Sequence, residues 1–373
     1  MTESGNNRRI RYAIVGLGHI AQATVLPAFQ NVENAELAAL VSGDKEKLDV
    51  LSQRYRVDRT SSYDDFEDCL RKGGIDAVFI ALPNDMHREF AVRAAHCGVH
   101  VLCEKPMAVT SDECAEMITA CSDNNVKLMI GYRLHFEAAN LQAIELAKSG
   151  KLGDLRLFES VFSMQVRPGN IRVQKGHGGG SLYDIGIYCI NAARYIFQDE
   201  PGEVFACEGT NGDARFQEVD EMMSVIMRFP KERLATFTCS FNGPGLQYYN
   251  VMGTQGFLRV EPAYDYAVDL KHQMCTGGEI STRTFPKCDQ FAAELTYFSD
   301  CILAGRDPEP DGWEGSQDVQ IIEAIHKSAK CGMPVKVQAF HRDKARAGCE
   351  QEITKPAVEA PALVGVEAPT LQE

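Results

Sequence analysis

Apolar and polar positions follow two alternating patterns along the first 131 residues. Apolar runs typical of buried strands lie at 10–15, 36–41, 76–82, 99–103 and 127–130, and runs with helical spacing lie at 45–55, at 86–97 and after the capping box Thr110-x-x-Glu113. Strands that alternate with helices form a parallel sheet covered on both faces. The pattern therefore predicts a doubly wound α/β domain over residues 8–131.

The pattern changes in the second half of the chain. After a helical run at 137–149, β-rich runs lie at 155–163, 203–209, 222–229, 234–241, 247–252 and 257–260, with turns expected at 242–245 and 253–256. Such spacing without intervening helices predicts a mostly antiparallel sheet. With two further helices at 290–304 and 317–329, residues 132–338 should form an α+β domain. Residues 339–373 lack periodicity, which predicts a mobile C-terminal tail.

Composition narrows the class of protein. The 373 residues, 45% hydrophobic and 24% charged, are typical of a globular protein with more than one domain. A net charge of -14 disfavours nucleic acid or an anionic membrane as a partner. No apolar run approaches the ~20 residues of a membrane span, and no secretory signal is expected. The 13 cysteines lack the spacing of a metal or redox motif, so we expect reduced thiols, a cytoplasmic protein and no metal.

The turn after the first strand has the spacing of a dinucleotide site. The run Gly16-Leu17-Gly18-His19-Ile20-Ala21 is a G-x-G-x-x-A fingerprint placed between a strand and a helix. Gly16 permits the tight turn, and Gly18 lets the backbone approach a pyrophosphate, which the N-terminus of the helix would stabilise. We therefore expect Gly16, Gly18, His19 and Ile20 to bind the cofactor.

The end of the second strand bears on the choice between NAD and NADP. Val41 is followed by the neutral Ser42 and, shortly afterwards, by Lys47. This arrangement favours NADP, with Ser42 and Lys47 on the 2′-phosphate. Asp44 is the competing feature, because an acidic residue here could bind the ribose of NAD or could simply cap the following helix.

Two other strand ends should face the same crevice, because ligands bind at the carboxyl ends of parallel strands. Pro83 and Asn84 follow the strand at 76–82, where Asn84 could cap the next helix or bind the nicotinamide side of the cofactor. His87 fits a structural role as well as a cofactor contact. Lys105 follows the strand at 99–103 as a candidate proton donor or electrostatic clamp, and desolvation could lower its pKa into a useful range.

A glycine-rich stretch leads into a helix with two polar groups on one face. Gly179 and Gly180 belong to a run without side chains, as backbone beside a ligand requires. Asp184 and Tyr188 lie four residues apart, so both could reach one substrate. The competing interpretation is an Asp stabilised by the helix dipole and a half-buried Tyr.

Together with the runs Cys103-Glu104-Lys105-Pro106 and Tyr132-Arg133-Leu134-His135, these motifs resemble those of the Gfo/Idh/MocA oxidoreductases. The run Asp184-Ile185-Gly186-Ile187-Tyr188 is similar to the glucose–fructose oxidoreductase branch and its relatives, the NADP-dependent sugar and dihydrodiol dehydrogenases. Most family members carry His where Tyr188 stands. The resemblance covers about residues 8–338.

The resemblance implies a Rossmann domain followed by an α+β domain with a large, mostly antiparallel, open-faced sheet. One face of that sheet would cover the substrate, and the other would form a homo-dimer or homo-tetramer contact. Glu104 would lie by the nicotinamide ribose, and Arg133 near the nicotinamide or a substrate oxygen. Pairing of Arg133 with an acid across the interface is the alternative.

The activity that the resemblance implies is NADP-dependent hydride transfer to or from a sugar or small polyol. Tyr188 would take the hydroxyl proton, and Lys105 would supply a stabilising charge because phenols titrate only near ~10. Asp184 would orient the sugar, with Gly179 and Gly180 beside it. A hydride shuttle that keeps its NADP is the second interpretation. In glucose–fructose oxidoreductase an N-terminal arm helps to bury the cofactor. Few residues precede the first strand here to form such an arm, so we place this interpretation second. A non-catalytic NADP(H) sensor is the alternative of another class.

Overall fold

The computed structural model describes residues 8–338 and 348–371, and its first sheet is parallel throughout. The strands of this sheet are β1 (Ile10–Val15), β2 (Ala35–Val41), β3 (Arg59–Ser61), β4 (Ala77–Ile80), β5 (His100–Glu104) and β6 (Leu128–Gly131). Across the described residues their spatial order is β3-β2-β1-β4-β5-β6. The order reverses between β1 and β4, where a doubly wound sheet opens a crevice for ligands.

Helices connect these strands and cover both faces. They are α1 (Leu26–Ala28), which continues irregular helical turns on both sides, α2 (Lys45–Tyr55), α3 (Phe66–Gly73), α4 (His87–His96) and α5 (Ser111–Asp123). The predicted capping box is present at the start of α5, where the Thr110 hydroxyl accepts from Glu113 N and the Glu113 carboxylate accepts from Thr110 N. The predicted α/β class is confirmed for this half of the chain.

The second sheet is large and mostly antiparallel. Its strands are β7 (Leu155–Gln165), β8 (Glu203–Gly209), β9 (Met222–Phe229), β10 (Arg233–Ser240), β11 (Asn242–Gly253), β12 (Gly256–Val260), β13 (Leu270–Thr276), β14 (Glu279–Phe285) and β15 (Val335–Lys336). Among the described residues their order is β14-β13-β12-β11-β7-β10-β9-β8-β15. The consecutive strands β10 and β11 run in opposite directions and flank β7 on opposite sides. Strand β7 therefore pairs antiparallel with β11 and parallel with β10.

The turn predicted at 242–245 is wrong. Asn242 already belongs to β11, and the pairing of β11 with β7 shifts register between Asn242 and Leu246. Gly243, Pro244 and Gly245 occupy this irregular part of the strand, where a residue without a ladder hydrogen bond is tolerated. The signal for a turn therefore marked a bulge.

Four longer helices complete the second half of the molecule: α6 (Ala138–Lys148), α7 (Ile187–Phe197), α8 (Gln290–Ala304) and α9 (Gly312–Cys331). Helix α7 packs against β7 and α9 against β8, so they cover one face of the second sheet. Helix α8 returns to the first sheet and packs against β1 and β2. No helix in the described residues is both long and apolar enough to cross a membrane.

The domain bounds 8–131 and 132–338 stay predictions. Strand β6 ends at Gly131, and β7 is the first strand of the second sheet along the chain. The mobility expected for the tail, 339–373, likewise stays a prediction. Residues 339–347 and 372–373 lie outside the described residues. Residues 348–371, however, make defined hydrogen bonds to the rest of the molecule, such as Ile353 N to Phe136 O at 3.3 Å. The sequence analysis did not predict these contacts because they use backbone groups of this segment, which no side-chain pattern marks.

A buried cation holds α7 to α9. The Arg194 guanidinium lies 2.7 Å from Glu314 Oε1 and 2.5 Å from Asp318 Oδ1, and all three side chains are 0% exposed. We expect Arg194→Met to lower the free energy of unfolding by about 3–5 kcal/mol, because it leaves buried carboxylates without their cation. Urea denaturation would measure this loss.

Arg228 provides a matched control, since its ion pairs with Glu203 and Glu232 are formed by a side chain that is 55% exposed. Arg228→Met should change the free energy of unfolding by less than about 1 kcal/mol. Equal effects of the two substitutions would contradict the stabilising role of the Arg194 cluster.

Candidate active site

A cleft of about 710 Å³ opens at the carboxyl ends of β1, β2, β4 and β5 and continues over the second sheet. Most of the residues predicted for the site line this cleft: Gly16, Gly18, His19, Ile20, Ser42, Lys47, Pro83, Asn84, Glu104, Lys105, Arg133, Gly179, Asp184 and Tyr188. His87 and Gly180 do not line it. Groups from both halves of the chain therefore share one cavity.

The turn after β1 leaves room for a ligand close to the backbone. Gly16 has a φ of +93°, and a Cβ there would lie 2.5 Å from Ala81 O, so a side chain cannot be accommodated. Gly18 has no neighbouring atom within 4 Å of a Cβ position, so its backbone borders open space. The local geometry fits the pyrophosphate of a dinucleotide.

At the end of β2, Asp44 caps the following helix and also lines the cleft. Its Oδ1 accepts a hydrogen bond from Lys47 N at 3.2 Å, so Asp44 is the N-cap of α2. The Lys47 ammonium lies 3.5 Å from Asp44 Oδ2, and the hydrogen bond from Lys47 N together with this charge lowers the Asp44 pKa. Ser42 and Lys47 both face the cleft, and Tyr63, which the sequence analysis missed, lies beside them.

His87 does not contact the cleft, so the predicted cofactor contact is wrong. Its ring is 0% exposed, and its two nitrogens lie 2.9 Å from Pro106 O and 2.9 Å from Leu82 O. Burial lowers its pKa. His87 ties together the segments that follow β4 and β5, which is the structural role that the sequence left open.

Asn84 and Gly180 shape the glycine-rich stretch. Asn84 Nδ2 donates to Gly178 O at 2.9 Å, so Asn84 joins the two halves of the molecule and makes no cap to the following helix. Gly180 was predicted to border the substrate and does not. A Cβ at Gly180 would lie 2.5 Å from Asp220 Oδ1, so this glycine permits close packing on Asp220.

Lys105 lies against the start of the glycine-led helix. Its Nζ donates to Asp184 O at 2.7 Å and to Asp184 Oδ1 at 3.2 Å, and it lies 4.8 Å from the centroid of the Tyr188 ring. Burial lowers the Lys105 pKa, but the charges of Asp184, Tyr188 and Glu104 outweigh it, and the pKa is raised above its ordinary value. The expected lowering is therefore wrong, and Lys105 stays a cation at neutral pH.

Asp184 is held by two cations. Its Oδ1 accepts from Lys105, and its Oδ2 accepts from Arg172 Nε at 2.7 Å. Burial raises the Asp184 pKa, but Arg172 and Lys105 together lower it to about 2. Arg172 was missed by the sequence analysis, because it lies on a short helical turn, Ile171–Val173, that carries no motif.

Tyr188 lies between Lys105 and Arg133. Arg133 Nη2 donates to Tyr188 Oη at 3.3 Å, and its guanidinium is held in place by Gln290 and by Tyr264 O at 2.5 Å. No ion pair joins Arg133 to an acid among the described residues. Because a guanidinium only donates, the Tyr188 oxygen is the acceptor, and the phenolic proton is not used in this bond.

Part of the remaining wall of the cleft is aromatic. The Phe162 ring lies 5.7 Å from that of Tyr188 and 5.3 Å from that of Tyr264, while Tyr266 lies 5.2 Å from the Arg133 guanidinium. These rings come from β7 and from the loop after β12. The sequence analysis missed them because the direction of Phe162 depends on the register of β7, and the directions of Tyr264 and Tyr266 depend on the path of a loop.

Glu104 lies at the end of β5, beside Gly131 on β6. Burial raises the Glu104 pKa to about 7, although Lys105 and Arg133 oppose the rise. The raised pKa makes protonation of this carboxyl group easier, and the protonated form can donate a hydrogen bond as well as accept one.

Comparisons with known proteins agree with this architecture. Residues 10–132 match a model described as "Oxidoreductase family, NAD-binding Rossmann fold", and residues 140–259 match the GFO/IDH/MocA C-terminal domain. The chain is 33% identical to D-xylose 1-dehydrogenase (NADP(+)) 2 of Haloferax volcanii, over 87% of this chain and 99% of the relative. It is 30% identical to the Haloarcula marismortui D-xylose 1-dehydrogenase [NADP(+)], over 90% and 95%.

A solved structure extends the likeness to three dimensions. The aldose-aldose oxidoreductase from Caulobacter crescentus, complexed with glycerol, superposes with a TM-score of 0.85 at 39% identity. The match covers 88% of this chain and 100% of that one.

Proposed function

Because the chain belongs to the GFO/IDH/MocA family of oxidoreductases, we infer that it transfers a hydride between NADP and a CH–OH or C=O group of a sugar or small polyol. The two NADP-dependent xylose dehydrogenases and the aldose-aldose oxidoreductase support this substrate class. The observation that carries the proposal is the convergence of Lys105 and Arg133 on Tyr188, in the cleft that also contains the glycine turn.

The residues of the cleft fit the parts of NADP. The turn at Gly16 and Gly18 would hold the pyrophosphate, and Ser42 and Lys47 the 2′-phosphate. Glu104 would bind the nicotinamide ribose. Bound NADP supplies the hydride chemistry, so the task of the protein is to place the reactants and to stabilise charge.

We assign the proton transfer to Tyr188. During oxidation its phenol, once deprotonated, would take the proton of the sugar hydroxyl, and during reduction it would return it. Arg133 would stabilise the phenolate oxygen through its direct hydrogen bond, and the Lys105 ammonium, 4.8 Å from the ring centroid, would add a second positive charge. Both have raised pKa values, because nearby negative groups outweigh the burial that lowers them, so neither surrenders its own proton at neutral pH.

Asp184 has two proposed tasks. It fixes the Lys105 ammonium beside Tyr188 through the 2.7 and 3.2 Å hydrogen bonds. Its carboxylate also borders the cleft, next to Gly179, and would orient a sugar hydroxyl with the lone pairs that the two cations leave.

Steady-state assays over a panel of aldoses and polyols, with NADP and NAD in separate series, test the proposed function. We expect turnover with NADP and at least one sugar. A protein that binds NADP(H) but turns over none of the panel would instead be a non-catalytic sensor.

Cofactor preference can be tested at the end of β2. We expect Lys47→Ala to raise KM for NADP about tenfold, since one ammonium–phosphate contact is lost, and to change KM for NAD little. Lys45→Ala is the control, because it removes the same charge from the same helix at an ammonium whose ion-pair partner is Asp49. A rise in KM of the same size for NADP and NAD would contradict the assignment of Lys47 to the 2′-phosphate.

We further propose a homo-dimer or homo-tetramer formed through the outer face of the second sheet. Met222 and Ile226 on β9 and Leu234 on β10 are exposed there, which supports an apolar contact. A cytoplasmic setting is also part of the proposal. It is supported by the free thiols of the twelve cysteines whose side chains the structure describes.

A further inference from the structure

Glu294 is a buried acid to which the proposed chemistry assigns no task. It lies on α8 and is 0% exposed, and neither of its carboxyl oxygens has a hydrogen-bond partner among the described residues. A carboxylate that is shielded from water and accepts no hydrogen bond is strongly destabilised, so an acid in such a place takes up a proton. Burial and the charge of Glu104 raise the Glu294 pKa well above its ordinary value, although Arg133 opposes the rise.

The start of α8 borders the active site. Phe291 lines the cleft, and the Gln290 side chain accepts a hydrogen bond from Arg133 Nη1 and donates one to Asp265 O at 2.9 Å. Glu294 follows Gln290 by four residues, so the two side chains lie on the same face of the helix. Glu294 is therefore directed toward the region of Arg133, whose charge acts on it.

Glu104 approaches the same region from the first sheet. Side chains two residues apart on a strand lie on the same face, so Glu104 shares a face of β5 with Leu102. Leu102 packs in one apolar cluster with Leu295 and Phe298 of α8. Glu104 therefore lies on the face of the sheet that α8 covers, and it also lines the cleft. Through Glu104, the buried Glu294 can influence a ligand in the cleft.

A proton on one of the two acids removes the repulsion between them. Ionised carboxyl groups only accept hydrogen bonds, so two carboxylates repel each other and cannot bond together. Lys105 and Arg133 both favour the ionised form of Glu104, whereas in the described part of the chain Arg133 alone does so for Glu294. Tyr12, on β1, also interacts with Glu294, but burial raises the Tyr12 pKa above its ordinary value and keeps it a neutral phenol. Glu294 is thus the acid that keeps the proton, and Glu104 is the one that becomes negative.

We propose that Glu294 is held as a neutral carboxylic acid, donates a hydrogen bond to the Glu104 carboxylate, and through it makes the cleft favour NADP⁺ over NADPH. The proposal rests on the function inferred above, which places Glu104 beside the nicotinamide ribose. The nicotinamide ring is positively charged in NADP⁺ and neutral in NADPH, so a negative Glu104 stabilises the oxidised dinucleotide more. Glu294 touches neither reactant and is a positioning residue.

The preference between the two dinucleotides should depend on pH. Burial and the Asp184 carboxylate raise the Glu104 pKa, Lys105 and Arg133 lower it, and the net rise brings it to about 7. Glu104 is negative above its pKa and neutral below it, so the advantage of NADP⁺ should be present at higher pH and be lost as the pH falls. Without a donor at position 294, the charged form loses a stabilising hydrogen bond, and the Glu104 pKa should rise further.

Dissociation constants for NADP⁺ and NADPH test the proposal in variants at position 294. Glu294→Leu removes the donor at similar volume, whereas Glu294→Gln keeps a neutral donor. Fluorescence titration with NADPH, and its displacement by NADP⁺, give both constants from about pH 6.5 to about pH 8.5. We expect Glu294→Leu to weaken NADP⁺ relative to NADPH at least about fivefold at neutral pH, with a smaller difference at higher pH. Glu294→Gln should stay within about twofold of the wild type.

Two controls accompany the titrations. Both dinucleotides carry the same 2′-phosphate, so its own titration cancels when one constant is divided by the other. Asp300→Asn removes another acid from α8, one that is exposed and accepts a hydrogen bond from Asn34 Nδ2 at 2.7 Å. It should leave the ratio of the two constants unchanged.

Infrared spectroscopy reads the protonation state of Glu294 directly. At neutral pH and without dinucleotide, the difference between the spectra of the wild type and Glu294→Gln should contain the C=O band of a protonated carboxyl group. Carboxylate bands in its place would overturn the proposal. This measurement needs only the conservative variant, so it decides the question even if Glu294→Leu does not fold.

The titrations can contradict the proposal independently. An unchanged ratio of the two constants in Glu294→Leu would overturn it, and so would an equal loss of affinity for both dinucleotides or the same change in Glu294→Gln. Failure of the proposed function gives a different result. In that case no sugar would be oxidised at saturating NADP⁺, while the infrared band and the pH-dependent ratio would persist.

Discussion

Tyr188→Phe is expected to lower kcat by about 10²–10⁴-fold while the affinity for NADP stays the same, because the substitution removes only the hydroxyl group that exchanges a proton with the sugar. The phenol oxygen accepts from Arg133 at 3.3 Å, and the ring lies 4.8 Å from Lys105. A phenylalanine keeps the ring, which lies 4.8 Å from the Lys105 ammonium and 5.2 Å from the Arg133 guanidinium, and loses only the hydrogen bond from Arg133. The loss should therefore fall on the chemical step and leave binding of the dinucleotide intact.

Tyr183→Phe is the matched control for this prediction. Tyr183 lies on the same helical segment, but its hydroxyl donates to Val109 O at 2.7 Å, and it does not line the cleft. Steady-state kinetics with saturating sugar and a fluorescence titration with NADPH would separate turnover from binding. If kcat of Tyr188→Phe equals that of the wild type, Tyr188 is not the proton carrier. A parallel loss of NADPH binding would show that the substitution acts on the fold.

Local signals in the sequence were sufficient for much of the fold. β1 (Ile10–Val15), α2 (Lys45–Tyr55) and α8 (Gln290–Ala304) have the bounds that apolar spacing predicted. In α2 the buried Leu48 and Leu51 lie three positions apart on one helical face, whereas β1 and α8 are buried along most of their length and are marked by a largely apolar run. The strand β14 (Glu279–Phe285) was missed because its residues are exposed except for Phe285 and show no apolar alternation.

The parts of the site whose backbone geometry depends on one short stretch of sequence were predictable. The glycine turn is such a case, because a tight turn before a helix needs small residues at set positions. Arg172 and the aromatic wall come together only through tertiary packing, and no spacing rule marks them. His87 illustrates the limit most clearly. The same histidine one turn inside a helix fits either role, and only its complete burial between two carbonyl oxygens decides.

For a related reason, the expected lowering of the Lys105 pKa is wrong, whereas the electrostatic clamp that the sequence analysis also considered agrees with the raised pKa. Desolvation alone does lower the pKa of a lysine, as the sequence analysis assumed. The carboxylate that reverses the shift belongs to Asp184, 79 positions further along the chain. The net effect converts Lys105 from a candidate acid into a fixed positive charge, and this changes the experiment that tests it.

Lys105→Met is expected to lower kcat by about 10²–10³-fold, the usual effect of removing one preorganised electrostatic contact from an active site. The wild-type ammonium stays protonated through neutral pH, because its pKa is raised. Without it, only Arg133 stabilises negative charge on the phenol oxygen. The pH dependence of sugar oxidation should therefore move to higher pH, and raising the pH should restore part of the lost rate in oxidation but not in reduction.

Two controls separate charge from structure in this prediction. Lys175→Met removes an exposed lysine before the glycine run and should leave the pH profile unchanged. Lys105→Arg keeps the positive charge and should recover part of kcat, although its planar group cannot reproduce both bonds to Asp184. A uniform loss of rate at every pH, in oxidation and reduction alike, would mean that Lys105 only holds Asp184 and the helix in place. The electrostatic role beside Tyr188 would then be wrong.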